Sequence, residues 1–374
     1  MQVLTFEQLE SLVQALRDRG TTVIGPTRRD HTIVHDELTS VAELPAGLAD
    51  EQDGGQYRLV DTGTSEVFAF STPSESWKRF LYPERTLLIR ARRANGEVHV
   101  TEPEPGADDV AFFGIRSCDL AALDRLDAVF IDPAATDPTY ASRRTATFIV
   151  AAACNRPGGT CFCASMNTGP TPSAGYDLMI RELTEPEHRF IVEAGTERGA
   201  DLLASLDSRP ADAQDRTRAA DAHASAVDAM GRSLDPEAPG AAAAAPEHAR
   251  WTDVAERCLA CANCTMICPT CFCSRTEDSN DLTGEVTERW RSWDSCFTTD
   301  FTHLHGGAVR QSTRARYRQW LLHKLVTWHD QFDMSGCVGC GRCITWCPVG
   351  IDITQEVAAF ASDTPQTAPE GGNS

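Results

Sequence analysis

Apolar and polar residues alternate along this chain in two different rhythms. Leu9, Leu12, Val13 and Leu16 recur at helical spacing, which predicts a core-facing helix over 6–19 with Gly20 placed to end it. Residues 22–100 break into short runs rich in Val, Ile, Tyr and Phe. Among them, Asn95-Gly96 separates Leu87-Leu-Ile-Arg-Ala-Arg92 from Val98-His-Val100 in the manner of a two-residue hairpin turn. Further on, Val110-Ala-Phe-Phe-Gly-Ile115 and Thr147-Phe-Ile-Val-Ala-Ala-Ala153 are unbroken apolar runs of strand length, as expected of strands buried on both faces. A helical pattern with Asp119 as its N-cap lies between them, so the two runs read as parallel strands joined by a crossover. Residues 176–183 and 189–193 add two strand-like runs, and 199–206 adds a helix.

The pattern changes at residue 207. The stretch 207–250 is rich in Ala, Asp, Arg and Pro, and is expected to be a linker whose first half forms an exposed helix. Beyond it, 251–258 reads as a short helix, and 308–330 as a longer one with Tyr317, Leu321, Leu325 and Trp328 along one face. Asp352 is placed to cap a last helix, and 363–374 reads as a disordered tail. The expected fold class is therefore α+β in two domains. An N-terminal α/β domain with a mixed sheet spans 1–206, the linker spans 207–250, and a largely α-helical domain spans 251–362.

Composition narrows the function classes. A chain of 374 residues with a formal net charge of -20 lacks the basic footprint that nucleic acids require. Its first residues are acidic where a signal peptide is basic, and no stretch has the length of a membrane span, so a cytoplasmic protein is expected. In a reducing compartment, 15 cysteines point to metal or redox chemistry and away from disulfides.

Eight of those cysteines form two near-copies of one motif. Cys258, Cys261, Cys264 and Cys268, and then Cys337, Cys340, Cys343 and Cys347, each follow C-x2-C-x2-C-x3-C-P. This is the bacterial ferredoxin spacing, in which three thiolates wrap one cubane and the fourth ligates the other. Two runs predict two 4Fe-4S clusters. Zinc is the alternative, but structural zinc sites are commonly built from two separated Cys-x2-Cys pairs and do not need a third in-phase thiol followed by Cys-Pro. The long stretch between Cys268 and Cys337 points to an α-helical ferredoxin. Gly336, Gly339 and Gly341 would let backbone amides approach a cluster, and Arg342 and the arginines at 310, 314, 316 and 318 would offset its charge or form a solvated face.

A second group is less regular. Cys118 and Cys154 fall just beyond the carboxyl ends of the two parallel strands, where open α/β sheets build ligand sites, and Cys161 and Cys163 follow in a glycine-rich loop. Four thiols meeting at one rim would hold a third 4Fe-4S cluster. A zinc site, or core packing of Cys118 and Cys154, is the alternative. Cys271, Cys273 and Cys296 remain, and three readings stay open for them: thiols beside a cluster, substitutes for Cys268, or ligands of a further centre lacking a fourth. With no GxGxxG after a strand, P-loop, HExxH or GxSxG, no catalytic residue is assigned, and the chain reads as an electron conduit.

Several longer strings carry a resemblance. They are Cys268-Pro-Thr-Cys-Phe-Cys273, Trp293-Asp-Ser-Cys-Phe297, His305-Gly-Gly-Ala-Val-Arg310, Ala315-Arg-Tyr-Arg-Gln-Trp320 and Ser335-Gly-Cys-Val-Gly-Cys-Gly-Arg-Cys-Ile-Thr-Trp-Cys-Pro-Val-Gly-Ile-Asp352. Together with the first cysteine run they resemble the β subunit of cytoplasmic NAD(P)-linked nickel-iron hydrogenases (sulfhydrogenases), and the similar A subunit of anaerobic sulfite reductase. The resemblance is dense over 251–360, and over 109–180 it rests on Gly114-Ile-Arg-Ser-Cys-Asp119 and Thr160-Cys-Phe-Cys163. It implies a non-catalytic iron-sulfur subunit that relays electrons between a flavin- and NAD(P)-binding subunit and the hydrogenase small and large subunits, or the corresponding sulfite reductase chains. By the same resemblance, Cys258, Cys261, Cys264 and Cys347 hold one cluster, and Cys337, Cys340, Cys343 and Cys268 the other. A subunit scaffold stabilised by zinc is the alternative from another class.

Overall fold

The computed structural model describes residues 1–362 apart from 105, 107 and 108; the tail expected at 363–374 lies outside the described residues. An eight-stranded mixed sheet forms the centre of the N-terminal half. Its order is Arg209–Pro210, Gln2–Leu4, Arg189–Ala194, Leu178–Leu183, Phe148–Ala152, Val110–Ile115, Thr22–Arg29 and Thr32–Glu37. The four strands from Leu178–Leu183 to Thr22–Arg29 run parallel, and antiparallel strands flank them. Phe148–Ala152 and Leu178–Leu183 are buried at every position, as their unbroken apolar runs require, apart from charged side chains that find partners. The helix Phe6–Asp18 opens with a capping box between Thr5 and Gln8 and sets Leu9, Leu12, Val13 and Leu16 into the core on one face of the sheet.

The helix after the strand Val110–Ile115 begins earlier than expected, at Ser117 with Arg116 as its N-cap. Asp119 therefore lies inside the first turn and is buried, free to pair elsewhere. Arg116 aims its guanidinium inward, donating to the carbonyls of Phe68, Phe70 and Ala153. This ties the loop before the helix to the ends of the central strands.

Two features differ from the sequence reading. The first half of the Ala/Pro-rich stretch forms the expected helix, Ala213–Asp228, but the second half is no linker: Ala238–Ala244 is a helix, and Leu234, Ala238 and Ala242 are buried beside Trp251, Val254, Ile353 and Phe360. Alanine is the strongest helix former, and its small side chain allows close packing, so composition that resembles a flexible linker here makes a packed strap. Arg232 fixes it further, donating to Asp352 at 2.7 Å, to the Gly159 carbonyl at 2.9 Å and to Asp53 at 2.5 Å.

The second difference lies in the C-terminal half, which is not purely helical. Ser274–Asn280 and Val286–Trp293 form a hairpin that pairs, through Val286–Trp293, with Arg85–Ala94, making a four-stranded sheet shared by both halves of the chain. The predicted turn at Asn95-Gly96 is present, with both residues at positive φ. The predicted long helix runs as Thr313–Leu322, a π-helical turn His323–Thr327 and Trp328–Phe332, with Tyr317, Leu321, Leu325 and Trp328 buried.

Candidate iron-sulfur sites

Each ferredoxin-like run folds as a tight loop leading into a one-turn helix, Asn263–Met266 in the first and Arg342–Thr345 in the second. The backbone is matched as well. Ala260 and Ala262 hold positive φ in the first loop where Gly339 and Gly341 do in the second. This turn brings the backbone amide of Ala260 to the Cys258 sulfur and that of Gly339 to the Cys337 sulfur, both at 3.4 Å. Amide groups aimed at thiolate sulfur stabilise negative charge there. Glycine in the second loop also answers to packing. A Cβ on Gly339 would meet the Cys163 backbone at 2.7 Å, and one on Gly341 the Thr160 carbonyl oxygen at 2.5 Å.

The fourth cysteine of each run reaches across to the other. Cys258, Cys261, Cys264, Cys343 and Cys347 line one cavity with Phe297, Tyr317, Trp320 and Ile351. Burial pushes the Cys258 and Cys264 thiols up, and the charges of Cys347 and Cys261 push them further. Burial likewise raises Cys337 to about 12, with Cys340 and Cys268 adding to the shift; Cys340 and Cys343 also feel Cys268. Cys347 thus lies with the first three cysteines, while Cys268 acts on each of the later three and on Cys264 of its own run as well.

The N-terminal thiols also come together. Cys118, Cys161 and Cys163 are buried, and Cys154 is half-buried. Burial is the main force raising all four thiols, and it is reinforced between Cys118 and Cys163, between Cys161 and both Cys163 and Cys154, and between Cys163 and Cys154. The loop carrying Cys161 and Cys163 is pinned by backbone: Phe162 N–H donates to the Gly339 carbonyl at 2.8 Å, and Arg232 N–H to the Cys161 carbonyl at 3.0 Å. Phe162 is fully buried in the C-terminal core. Consequently Cys118 and Cys163 pack directly against Val338 and Cys340, and the sulfur of Cys161 lies 3.8 Å from the Cys340 carbonyl oxygen.

Between these two thiol groups lies a buried ion pair. Arg342 donates both of its terminal nitrogens to Asp119 at 2.8 Å, with side-chain exposures of 0% and 2%. Of the other arginines weighed from sequence, Arg316 contributes electrostatically at Cys258 and caps the 310–311 carbonyls. Arg314 and Arg318 instead bind the Pro246 carbonyl and Glu247. Sequence reasoning missed Lys78 and Lys324, both buried. Lys324 donates to the Cys268 sulfur at 3.2 Å and to Thr270 Oγ1 at 2.9 Å. Its signal was weak, since one lysine in an amphipathic helix reads as surface.

Among the described residues, no three Cys, His, Asp or Glu side chains stand close enough to share one metal ion. A cubane places each thiolate on a different iron, so its ligand sulfurs stand farther apart than four ligands around one zinc. The donor chemistry, the amide-to-sulfur contacts and the apolar lining of the first cavity all fit iron-sulfur clusters.

Comparisons with known proteins agree with this chemistry. Residues 257–351 match the 4Fe-4S dicluster domain. Sulfhydrogenase 2 subunit beta of Pyrococcus furiosus is 28% identical over 337 residues, which cover 88% of this chain and 89% of that protein. The chain is therefore similar to a hydrogenase β-type subunit over most of its length, well beyond the dense stretch 251–360. No solved structure matches it.

Proposed function

We propose that this chain is the iron-sulfur electron-transfer subunit of a multi-subunit oxidoreductase, relaying electrons between a flavin- and NAD(P)-binding subunit and a nickel-iron hydrogenase module. Cys258, Cys261, Cys264 and Cys347 would hold one 4Fe-4S cluster, Cys337, Cys340, Cys343 and Cys268 a second, and Cys118, Cys154, Cys161 and Cys163 a third. When bound, such clusters supply one-electron redox chemistry over a wide range of potentials.

The observation that carries the reading is contiguity. The N-terminal thiols pack on the second cysteine run at Val338 and Cys340, and Cys343 of that run borders the cavity of the first. Cys261 of the first run is exposed, flanked by exposed Leu259 and Val349, so the series ends at the protein surface. Meanwhile Phe297, Tyr317 and Trp320 shield the inner side of that cavity from water, and burial is one of the levers that set a cluster's potential. Among the described residues, no helix is long and apolar enough to cross a membrane.

Anaerobic purification of the chain with its native partners tests the reading. Iron and acid-labile sulfide in the chain, with a nickel protein among the partners, are the expected result. A sirohaem protein in place of nickel would assign the same role to sulfite reduction. A colourless, zinc-loaded chain that assembles normally would refute electron transfer.

A further inference from the structure

Cys271, Cys273 and Cys296 belong to neither the paired runs nor the N-terminal group, yet the fold collects them. The hairpin Ser274–Asn280/Val286–Trp293 begins one residue after Cys273 and ends shortly before Cys296. Ser274 pairs with Trp293, and Asp294 N–H donates to the Cys273 carbonyl at 2.8 Å. The hairpin thus acts as a clasp that closes its own two ends, bringing Cys296 onto the Cys-x-Cys turn. Cys273 and Cys296 interact through their sulfurs, as do Cys271 and Cys268.

The charge around this trio is unusual. Lys78 and Lys324 are 2% and 5% exposed. Lys78 Nζ donates to the Cys271 carbonyl at 2.9 Å and lies 3.8 Å from the centre of the Trp293 ring. The charged groups acting most strongly on Lys78 are Cys271, Cys268, Lys324 and Cys273, and those on Lys324 are Cys268, Cys271 and Cys337. None is a carboxylate. Burying two ammonium groups that repel one another is costly unless anions balance them. A cluster ligated by thiolates is such an anion. Lys324 is also held in place: its carbonyl accepts from Gly336 N–H at 2.8 Å, and it lies in a π-helical turn, a distortion frequent at functional sites.

We infer that Cys271, Cys273 and Cys296 ligate an additional iron-sulfur cluster, whose negative charge Lys78 and Lys324 balance. The fourth corner falls to a ligand outside this trio. The inference rests on the electron-transfer reading and adds a branch to it, beside Cys268 and Cys264.

The test compares the anaerobically purified parent complex with one carrying Cys271→Ser, Cys273→Ser and Cys296→Ser together. The triple variant is expected to lose about four iron and about four sulfide per chain, one cubane's worth, while the spectra of the paired runs persist. Equal iron and sulfide in parent and variant would overturn the inference and leave the electron-transfer reading standing, whereas a parent without iron would overturn both. Zinc in the parent that disappears from the triple variant would also refute an iron-sulfur site. Cys296→Ser alone gives a second readout that leaves Cys268 and the Cys-x-Cys turn in place. In a redox titration followed by electron paramagnetic resonance, one couple should shift or vanish, and a titration with every couple unchanged would overturn the inference.

Discussion

The first cysteine run and the N-terminal thiol group assemble the same kind of side chain by opposite means. In the run, Cys258, Cys261 and Cys264 are neighbours in sequence, and two left-handed residues, Ala260 and Ala262, curl the backbone around them. In the N-terminal group, Cys118 and Cys154 lie at the ends of adjacent parallel strands, while Cys161 and Cys163 return over that rim on a loop whose backbone is held by Gly339. The first arrangement is local and reaches the surface at Cys261; the second depends on the tertiary fold and is mostly buried. A local loop can form its site from its own turns. The rim needs the sheet, the strap at Arg232 and the second cysteine run all in place. The two regions should therefore respond differently to damage.

Arg342 is where breaking the joint should matter most. Replacing it with Met leaves Asp119 buried without its bidentate partner, and breaking such a pair costs about 3–5 kcal/mol. The expected outcome is a large drop in the unfolding midpoint of the anaerobic protein, with the N-terminal site lost along with it. Replacing both residues together, Arg342→Met with Asp119→Leu, should recover much of that stability, because the uncompensated charge is gone. Denaturant unfolding of the two variants checks this directly.

Gly339→Ala is expected to have a smaller effect. Its φ of +65° disfavours any side chain, and the added Cβ would meet Cys163 backbone at 2.7 Å. Strain of this kind costs about 1–3 kcal/mol. Because the collision is with the Cys161–Cys163 loop, iron should be lost from the N-terminal site before the paired runs are affected. Ala260, at the matching position of the first run, already carries a Cβ, so Ala260→Gly should leave both sites loaded. Iron content and unfolding midpoints of the two variants separate strain at the junction from a general weakening of the loops.

A third substitution bears on the rim alone. Cys163→Ser removes a thiol that packs against Cys118 and Cys340, and should abolish the cluster proposed for the N-terminal group while the paired runs keep theirs. Retention of every cluster signal would show that the four buried thiols are core packing.

The same contrast explains what could be read from sequence. The paired runs were legible because their cysteines are spaced by a local rule, and Val110–Ile115 and Phe148–Ala152 because strands buried on both faces leave unbroken apolar runs. The strap was not legible. Leu234, Ala238 and Ala242 recur every four residues, but alanines also fill 241 and 243–245, so no apolar–polar contrast marks a face, and only the partners supplied by Trp251 and Phe360 turn them into core. The hairpin Ser274–Asn280/Val286–Trp293 was missed for a related reason: most of its side chains are exposed and polar, and its stabilising partner, Arg85–Ala94, lies far away in sequence. Asp119 read as an N-cap because its partner, Arg342, is equally distant.

The crossed pairing of the two runs is the finest distinction and calls for the mildest substitution. Cys268 follows the first run in sequence and acts on Cys264, yet its charge also acts on Cys337, Cys340 and Cys343, and Lys324 donates a hydrogen bond to its sulfur. Cys347 has the reciprocal relation to Cys258 and Cys264. Serine at position 268 keeps an oxygen where the sulfur was, so the fold should be little disturbed and the effect confined to one redox couple. That couple should belong to the cluster held by the later run. Cys347→Ser should shift the other couple, and the two single shifts should add in the double variant, since each substitution acts on a different cluster. If instead Cys268→Ser altered only the couple that Cys258→Ser also alters, each run would hold its own four cysteines, and the second run would resemble the local arrangement in full.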